Sequence, residues 1–211
     1  MFLHSLSFVG ALGIFLYGMK IMSEGLEKTA GDRLRGVLSS MTSNRFAGVV
    51  TGMGVTAVIQ SSSATTVMVV SFVNARLMTR RQAIGVIMGA NIGTTITGQL
   101  IALDVGMMAP LFAFFGVAMV VFLKNPKAHH YGEIIAGLGV LFIGMGMMSD
   151  AMYPLRESEA FISLMTTISN PFIAVFVGAG FTALIQSSSA SVGILQTLAN
   201  SGLIGLHSSI Y

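Results

Sequence analysis

The 211-residue chain has 11 Lys and Arg against 8 Asp and Glu, a formal net charge of +3, and neither Cys nor Trp. Hydrophobic residues make up 54% of the chain and charged residues 9%, whereas soluble domains carry about 25% charged residues. This composition indicates a protein of the lipid bilayer, and the lack of Cys excludes disulfides, thiolate metal sites and Cys nucleophiles. No basic stretch alternates with aromatic residues, so nucleic acid is not an expected partner.

Four apolar stretches approach the length of about 20 residues that a membrane-spanning helix needs. They are Leu6–Met22, Gln82–Leu103, Val105–Leu123 and Glu133–Met148. A cleavable signal peptide has Lys or Arg ahead of its apolar run, and none precedes the first stretch. We therefore expect a multi-pass protein of the plasma (inner) membrane whose first span is retained.

The segment Glu24–Ser43 differs from these spans because charged and apolar residues alternate along it. Its charged residues include Glu24, Lys28 and Arg35, with Leu26 and Leu34 between them. Two interpretations stay open. One is an amphipathic helix lying in the membrane interface, and the other is an ordinary solvated helix within a loop.

Two pairs of shorter apolar runs each flank the same pentapeptide, Gln-Ser-Ser-Ser-Ala. The first pair is Phe46–Ile59 and Ala64–Ala75, and the second is Phe172–Ile185 and Ala190–Ala199. Each run is too short to cross a bilayer alone. Two short helices around a polar turn predict a re-entrant hairpin with its tip at mid-membrane, where non-helical backbone must be buried in protein or line a wet cavity.

The two pentapeptides belong to an internal repeat with an offset of 126 residues and no gap. Roughly a third of the aligned pairs are identical, including Gly18 with Gly144 and Asn74 with Asn200. Three spans precede the second copy and a re-entrant hairpin adds no crossing, so the second copy starts from the opposite side. We expect an all-α integral membrane protein with a first repeat at residues 1–125 and an inverted, incomplete second repeat at 126–211, an arrangement common in secondary transporters.

The placement of basic residues agrees with this topology. Ten of the 11 Lys and Arg fall on one side of the expected membrane, and Arg156 falls on the other. Cytoplasmic loops carry the excess of Lys and Arg, so the N-terminus is expected outside.

The repeat also predicts a further element, which this chain does not contain. The first hairpin is followed by Gly89–Thr95, and the repeat partner of this stretch would lie at positions 215–221, beyond Tyr211. We expect either a truncated chain, or a second copy or other partner chain that completes the second half.

The pentapeptide turns combine two kinds of binding chemistry. Amide and hydroxyl oxygens are hard ligands suited to Na⁺, and the unpaired N–H groups that start the following helix suit an anion. No Lys or Arg lies in either turn, so an anion there would need co-bound cations. Ser and Gln also join helices by hydrogen bonds, but their duplication at matched positions favours a binding role.

The stretch Gly89–Thr95 adds polar groups to an otherwise apolar span. Asn91 and Thr94 are candidate ligands, and Gly85 and Gly93 belong to a stripe of small residues that is typical of close helix packing. Both roles can hold together. No His or carboxylate accompanies the serines within the spans, and a Ser nucleophile needs an activating base, so an enzyme is not expected.

The chain resembles the sodium/phosphate cotransporter family, type II and its bacterial relatives, over essentially its whole length. The resemblance rests on GMGVTAVIQSSSATTVMVV (Gly52–Val70), MGANIGTT (Met88–Thr95) and GAGFTALIQSSSAS (Gly178–Ser191). It implies sodium-coupled transport of inorganic phosphate by alternating access, with Na⁺ as the co-transported ion and no organic cofactor. The alternative is a membrane module that does not transport, such as a phosphate sensor or an assembly partner.

The resemblance also implies a set of binding residues. Phosphate is expected at Gln60, Ser61, Ser62, Ser63, Gln186, Ser187, Ser188 and Ser189. Sodium is expected at Gln60, Ser62, Thr65, Asn91, Thr94, Thr95, Gln186 and Ser188. No other metal is expected.

Overall fold

A computed structural model describes residues 2–40, 44–103, 106–152, 170–185 and 187–205. The regular structure within these ranges is helical throughout, which confirms the all-α prediction. The helices are α1 (Phe2–Ser40), α2 (Arg45–Ile59), α3 (Ser62–Asn74), α4 (Arg80–Gly93), α5 (Thr95–Ala102), α6 (Ala109–Phe122), α7 (Pro126–Met152), α8 (Pro171–Ile185) and α9 (Ser188–Asn200). A short 3₁₀ turn at Gly106–Met108 precedes α6.

Three helical stretches in the described ranges are long and apolar enough to cross a membrane. They are Leu6–Ala30, Arg80–Ala102 and Pro126–Met152, and each overlaps one of the predicted spans. The span predicted at Val105–Leu123 is shorter, because the helical residues there are Gly106–Phe122 and Val105 lies outside the described ranges. Exposed apolar side chains, including those of Phe46, Phe122, Phe172, Phe176 and Leu184, cover the outer faces, as expected of a surface that meets lipid.

The segment Glu24–Ser43 is helical over its described residues, up to Ser40, but it does not form a helix of its own. Helix α1 continues without a break from Phe2 to Ser40. The charged segment follows α7: a Cβ atom at Gly25 would lie 2.9 Å from the carbonyl oxygen of His130. Lys28 Nζ lies 2.7 Å from Glu133 Oε1. Packing on α7 therefore carries α1 past Glu24 as far as Lys28, and beyond it Leu34 and Leu38 pack with the core cluster that contains Val55.

Helices α1 and α7 occupy equivalent positions in the repeat and pack in opposite directions. A Cβ atom at Gly18 would overlap the backbone nitrogen of Leu141, and one at Gly144 would overlap that of Phe15. The two contacts are exchanged by the 126-residue offset, which relates Phe15 to Leu141 and Gly18 to Gly144. The contact therefore has the form of a two-fold interface, in which the same pair of positions meets twice.

Glycines also bring α2 against α4. A Cβ atom at Gly52 would overlap the carbonyl oxygen of Val86, and one at Gly89 would overlap that of Val49. This close approach confirms the packing role predicted for the stripe of small residues on α4.

The described helix boundaries repeat with the sequence offset. Helix α8 begins and ends 126 residues after α2, and α9 does the same relative to α3. Helices α3 and α9 begin at Ser62 and Ser188. The turns are therefore shorter than the four residues predicted, because the last two serines of each pentapeptide form the first turn of the helix that follows.

Candidate functional site

Gln60 and Ser61 form the turn between α2 and α3. Gln60 ends α2 in the left-handed region, with φ of 59°, and its N–H donates to the carbonyl oxygen of Thr56 at 2.7 Å. Ser61 is the N-cap of α3, since its Oγ accepts a hydrogen bond from the N–H of Ala64 at 3.2 Å. A left-handed residue at a helix end is uncommon outside Gly and Asn, so this turn needs support from other contacts.

The buried side chain of Gln60 supplies that support. Its Nε2 donates to the carbonyl oxygen of Ala57, and its Oε1 accepts a hydrogen bond of 2.7 Å from Thr97 Oγ1 on α5. Both ends of the amide are therefore used within the protein. Gln60 was predicted as a ligand of both phosphate and sodium, and the structure gives it a further role in fixing the turn.

The described part of the second turn repeats the N-cap and hydroxyl hydrogen bonds of the first. Ser187 Oγ accepts from the N–H of Ala190 at 3.2 Å, as Ser61 does in the first turn. Thr182 Oγ1 donates to Ser191 Oγ at 2.9 Å, and Thr56 Oγ1 donates to Thr65 Oγ1 at the same distance. Gln186, also predicted as a ligand, lies outside the described residues.

The two turns face one open cavity of ≈ 970 Å³, here called the serine cavity. Its wall includes all the described residues that were predicted to bind phosphate: Gln60, Ser61, Ser62, Ser63, Ser187, Ser188 and Ser189. Further lining comes from α1 and α8, including Ser23 and Thr182. The structure therefore brings together in space two pentapeptides that lie 126 residues apart in the sequence.

The serine cavity presents hydrogen-bond donors. The first N–H groups of a helix have no acceptor within it, and the first turns of both α3 and α9 line the cavity. The dipoles of α3 and α9 place partial positive charge at their N-terminal ends, which are the ends that line the cavity. The capping hydroxyls of Ser61 and Ser187 accept backbone N–H groups, so those bonds leave the hydroxyl hydrogens for another acceptor. An anion is the ligand that this arrangement suits.

Lys20 is a lining residue that the sequence reasoning did not assign to the site. It belongs to α1 and reaches the serine cavity, with its Nζ 3.8 Å from Glu24 Oε1. Forty residues separate it from the first turn. The expectation that an anion would meet no basic side chain holds for the turns themselves but not for the cavity that they form.

A second open cavity of ≈ 580 Å³, here called the threonine cavity, lies beside the junction of α4 and α5. Its wall contains Asn91, Thr94, Thr95, Gly98, Gln99, Ala102, Ser188, Val192 and Gln196. Four of the residues predicted to bind sodium are in this set, and Ser188 lines both cavities.

In the threonine cavity the hydroxyls of Thr94 and Thr95 donate to the helix backbone, whereas the capping hydroxyls of the two turns accept from it. Thr94 Oγ1 donates to the carbonyl oxygen of Ala90 at 3.0 Å, and Thr95 Oγ1 donates to that of Ile92 at 2.7 Å. Their hydrogens are therefore used within the helix, and their remaining lone pairs are suited to a cation.

Among the described residues, Thr65 is the predicted sodium ligand that lines neither of these cavities. It is fully buried, accepts a hydrogen bond from Thr56 Oγ1 and donates to the carbonyl oxygen of Ser61 at 3.1 Å. These bonds connect α2 to the start of α3.

The helices and the cavities define an all-helical membrane protein with two polar sites beside short, broken helices. The family model described as Na+/Pi-cotransporter matches residues 14–150 and again 145–211. The chain therefore belongs to the Na⁺/Pi-cotransporter family, a family of transporters and not of enzymes, which confirms the resemblance in the sequence.

Named relatives agree with this family. The chain is 30% identical over 203 residues to YjbB of Escherichia coli (strain K12), whose name describes an inorganic phosphate export protein, and covers 37% of it. That alignment includes 96% of the chain. It is 34% identical over 183 residues to the human sodium-dependent phosphate transport protein 2B, with 80% of the chain and 25% of that protein covered. The chain thus spans well under half the length of these relatives, and no solved structure matches it.

Proposed function

We propose that the chain carries out sodium-coupled transport of inorganic phosphate across the membrane by alternating access. The observation that carries this proposal is the serine cavity, where the first turns of two repeat-equivalent helices meet. Two sets of N–H groups and capping hydroxyls suit a tetrahedral oxyanion with several acceptor oxygens. Phosphate binds there, at Ser61–Ser63 and Ser187–Ser189 together with Gln60 and Gln186.

Sodium coupling follows from the charge of the ligand. Phosphate is an anion, and the single basic residue among the described lining of the serine cavity is Lys20, which is 69% exposed and has Glu24 nearby. Co-bound Na⁺ supplies the remaining compensation. Asn91, Thr94, Thr95 and Ser188 hold it in the threonine cavity, and the name of the human relative, a sodium-dependent protein, supports the coupling.

In alternating access, the two repeats are the halves of the protein that move relative to each other. Residues 1–125 and 126–211 form halves of inverted topology, and their short helix pairs, α2–α3 and α8–α9, are re-entrant hairpins. The antiparallel contact of the equivalent helices α1 and α7 supports this arrangement, as does the second match of the same family model. Rocking of the halves opens the central site to each side in turn. The N-terminus lies outside the plasma membrane.

The experiment is uptake of ³²P-labelled phosphate by liposomes that contain the purified chain, with an inward gradient of Na⁺ or of choline. Accumulation that requires Na⁺ is the expected result. Ser62→Ala, at the cavity wall, abolishes it. The matched control is Ser71→Ala, because Ser71 is exposed and its hydroxyl bonds to the carbonyl of Val67 in the same helix. Folded, inserted protein without any phosphate accumulation contradicts the proposal and favours the non-transporting module.

A further inference from the structure

The side chain of Gln196 on α9 has one amide atom that is hydrogen-bonded and one that is buried without a partner. Its Nε2 donates a 2.9 Å hydrogen bond to the carbonyl oxygen of Gly98 on α5. Its Oε1 is buried and has no hydrogen-bond partner among the described residues. Leaving a buried acceptor unsatisfied is unfavourable by about 1–3 kcal/mol, and such an atom in a folded protein indicates a strained site, a water or an ion.

Gln196 has no polar counterpart in the first repeat. The equivalent position in the first repeat is Val70, an apolar residue that is half exposed. The neighbouring hydroxyls do correspond, because Thr197 bonds to the carbonyl of Gly193 and Ser71 bonds to that of Val67, both at 2.9 Å. Gln196 is therefore specific to the second repeat, at a position where the first repeat has an apolar residue.

The surroundings of Gln196 indicate what kind of ligand suits this oxygen. It lines the threonine cavity, where the hydroxyls of Thr94 and Thr95 have already donated their hydrogens. The described lining of this cavity contains no charged side chain. Neutral oxygens suit a monovalent cation, whereas Ca²⁺ and Mg²⁺ sites in proteins generally include carboxylates.

We propose that Gln196 Oε1 is a ligand of a monovalent cation, Na⁺ in the transport cycle, bound in the threonine cavity. This inference rests on the sodium coupling proposed above and adds a ligand from the second repeat. With its Nε2 on Gly98 and its Oε1 on the cation, Gln196 connects α9 to α5. The same α5 holds the first turn through Thr97 and Gln60, so the cation lies between elements of both repeats.

Two substitutions separate a ligand from a structural brace. Gln196→Met and Gln196→Glu both remove the Nε2 donor to Gly98, but only the Met variant also removes the oxygen. The measurement is ²²Na⁺ binding to the purified full chain in nanodiscs. We expect the half-saturating Na⁺ concentration to rise about tenfold or more in Gln196→Met, the scale typical of disturbed metal sites. In Gln196→Glu we expect it to stay unchanged or fall.

Three outcomes of the binding measurement overturn the inference. Equal weakening in both variants identifies Gln196 as a brace between α9 and α5. Unchanged binding in Gln196→Met assigns the unpaired oxygen to a water. If the Met variant does not fold, weakened binding in a folded Gln196→Glu is sufficient to reject the ligand role. Binding of ²²Na⁺ without phosphate uptake contradicts the proposed function alone, whereas uptake driven by Na⁺ with normal binding in Gln196→Met contradicts only this inference.

Discussion

Thr97 on α5 donates a 2.7 Å hydrogen bond to the Oε1 atom of Gln60, the residue at which α2 ends. Thr97 and Gln60 are both buried, and 37 residues separate them. The bond joins the turn that lines the serine cavity to the broken helix that lines the threonine cavity. The two cavities are therefore joined by a buried hydrogen bond between neighbouring elements.

Removal of this bond should destabilise the protein and reduce transport. Thr97→Val keeps the side-chain shape but leaves the buried amide oxygen of Gln60 unpaired, which we expect to lower the free energy of unfolding by about 1–3 kcal/mol. Thermal unfolding followed by circular dichroism measures the effect. The control is Thr66→Val, since the Thr66 hydroxyl bonds to Ser62 in its own helix. Equal melting of the two variants would show that the Thr97 bond adds nothing.

The local features of the site could be predicted from the sequence because they depend on short segments. Ser at an N-cap and a polar residue at a helix end specify the turns, and identical pentapeptides produced the same hydrogen bonds at Ser61 and Ser187. The boundaries of the short helices followed from their apolar runs within a few residues. The joint location of both turns on one cavity agrees with what the family resemblance implies.

The features that could not be predicted from the sequence depend on contacts between distant parts of the chain. Helix α1 continues past Glu24 because it packs on α7, more than a hundred residues away. Lys20 reaches the serine cavity through the same packing. Gln196 stands between Leu195 and Thr197 in the sequence. Only its unpaired, buried oxygen, on a residue that lines a cavity, distinguishes it from a helix-joining Gln. No local pattern contains this information.

The close contact of α2 with α4 can be tested with two glycines of the same helix. A Cβ atom at Gly52 would overlap the carbonyl oxygen of Val86, whereas one at Gly54 meets nothing within 4 Å. We expect Gly52→Ala to lower the free energy of unfolding by about 1–3 kcal/mol. Gly54→Ala should raise it slightly, because Ala favours the helix by about 0.5–1 kcal/mol. Circular dichroism melting curves compare the two, and similar curves would mean that the helices do not approach this closely.

The position of Lys20 predicts an electrostatic contribution to phosphate binding. Lys20→Met should raise the KM for phosphate by about two- to tenfold, because one positive charge near a cavity increases the local concentration of anions. The side chain is 69% exposed, so the effect should decrease with ionic strength. The control is Lys127→Met, at an exposed position near the start of α7. A Lys20 variant whose KM matches the wild type at low salt would exclude this role.

Substitution of the N-cap serine separates its structural role from its role in anion binding. Asp is as good an N-cap as Ser, so Ser61→Asp should keep the cap of α3 and its melting temperature. The carboxylate provides no hydrogen to an anion and adds a negative charge to the serine cavity, so phosphate uptake should be lost. Ser61→Ala, in contrast, should lower stability by about 1 kcal/mol and keep part of the uptake.

Asn44 provides the matched control for this change. It caps α2 by accepting from the N–H of Ala47 at 2.8 Å, and it is exposed and does not line the serine cavity. Asn44→Asp therefore places the same carboxylate at an N-cap without bringing it near the phosphate, and uptake should be unchanged. Ser187→Asp should act like Ser61→Asp, because the two turns hold one anion between them. Loss of uptake in the Ser61 variant alone would assign phosphate to the first turn and remove the second from the site.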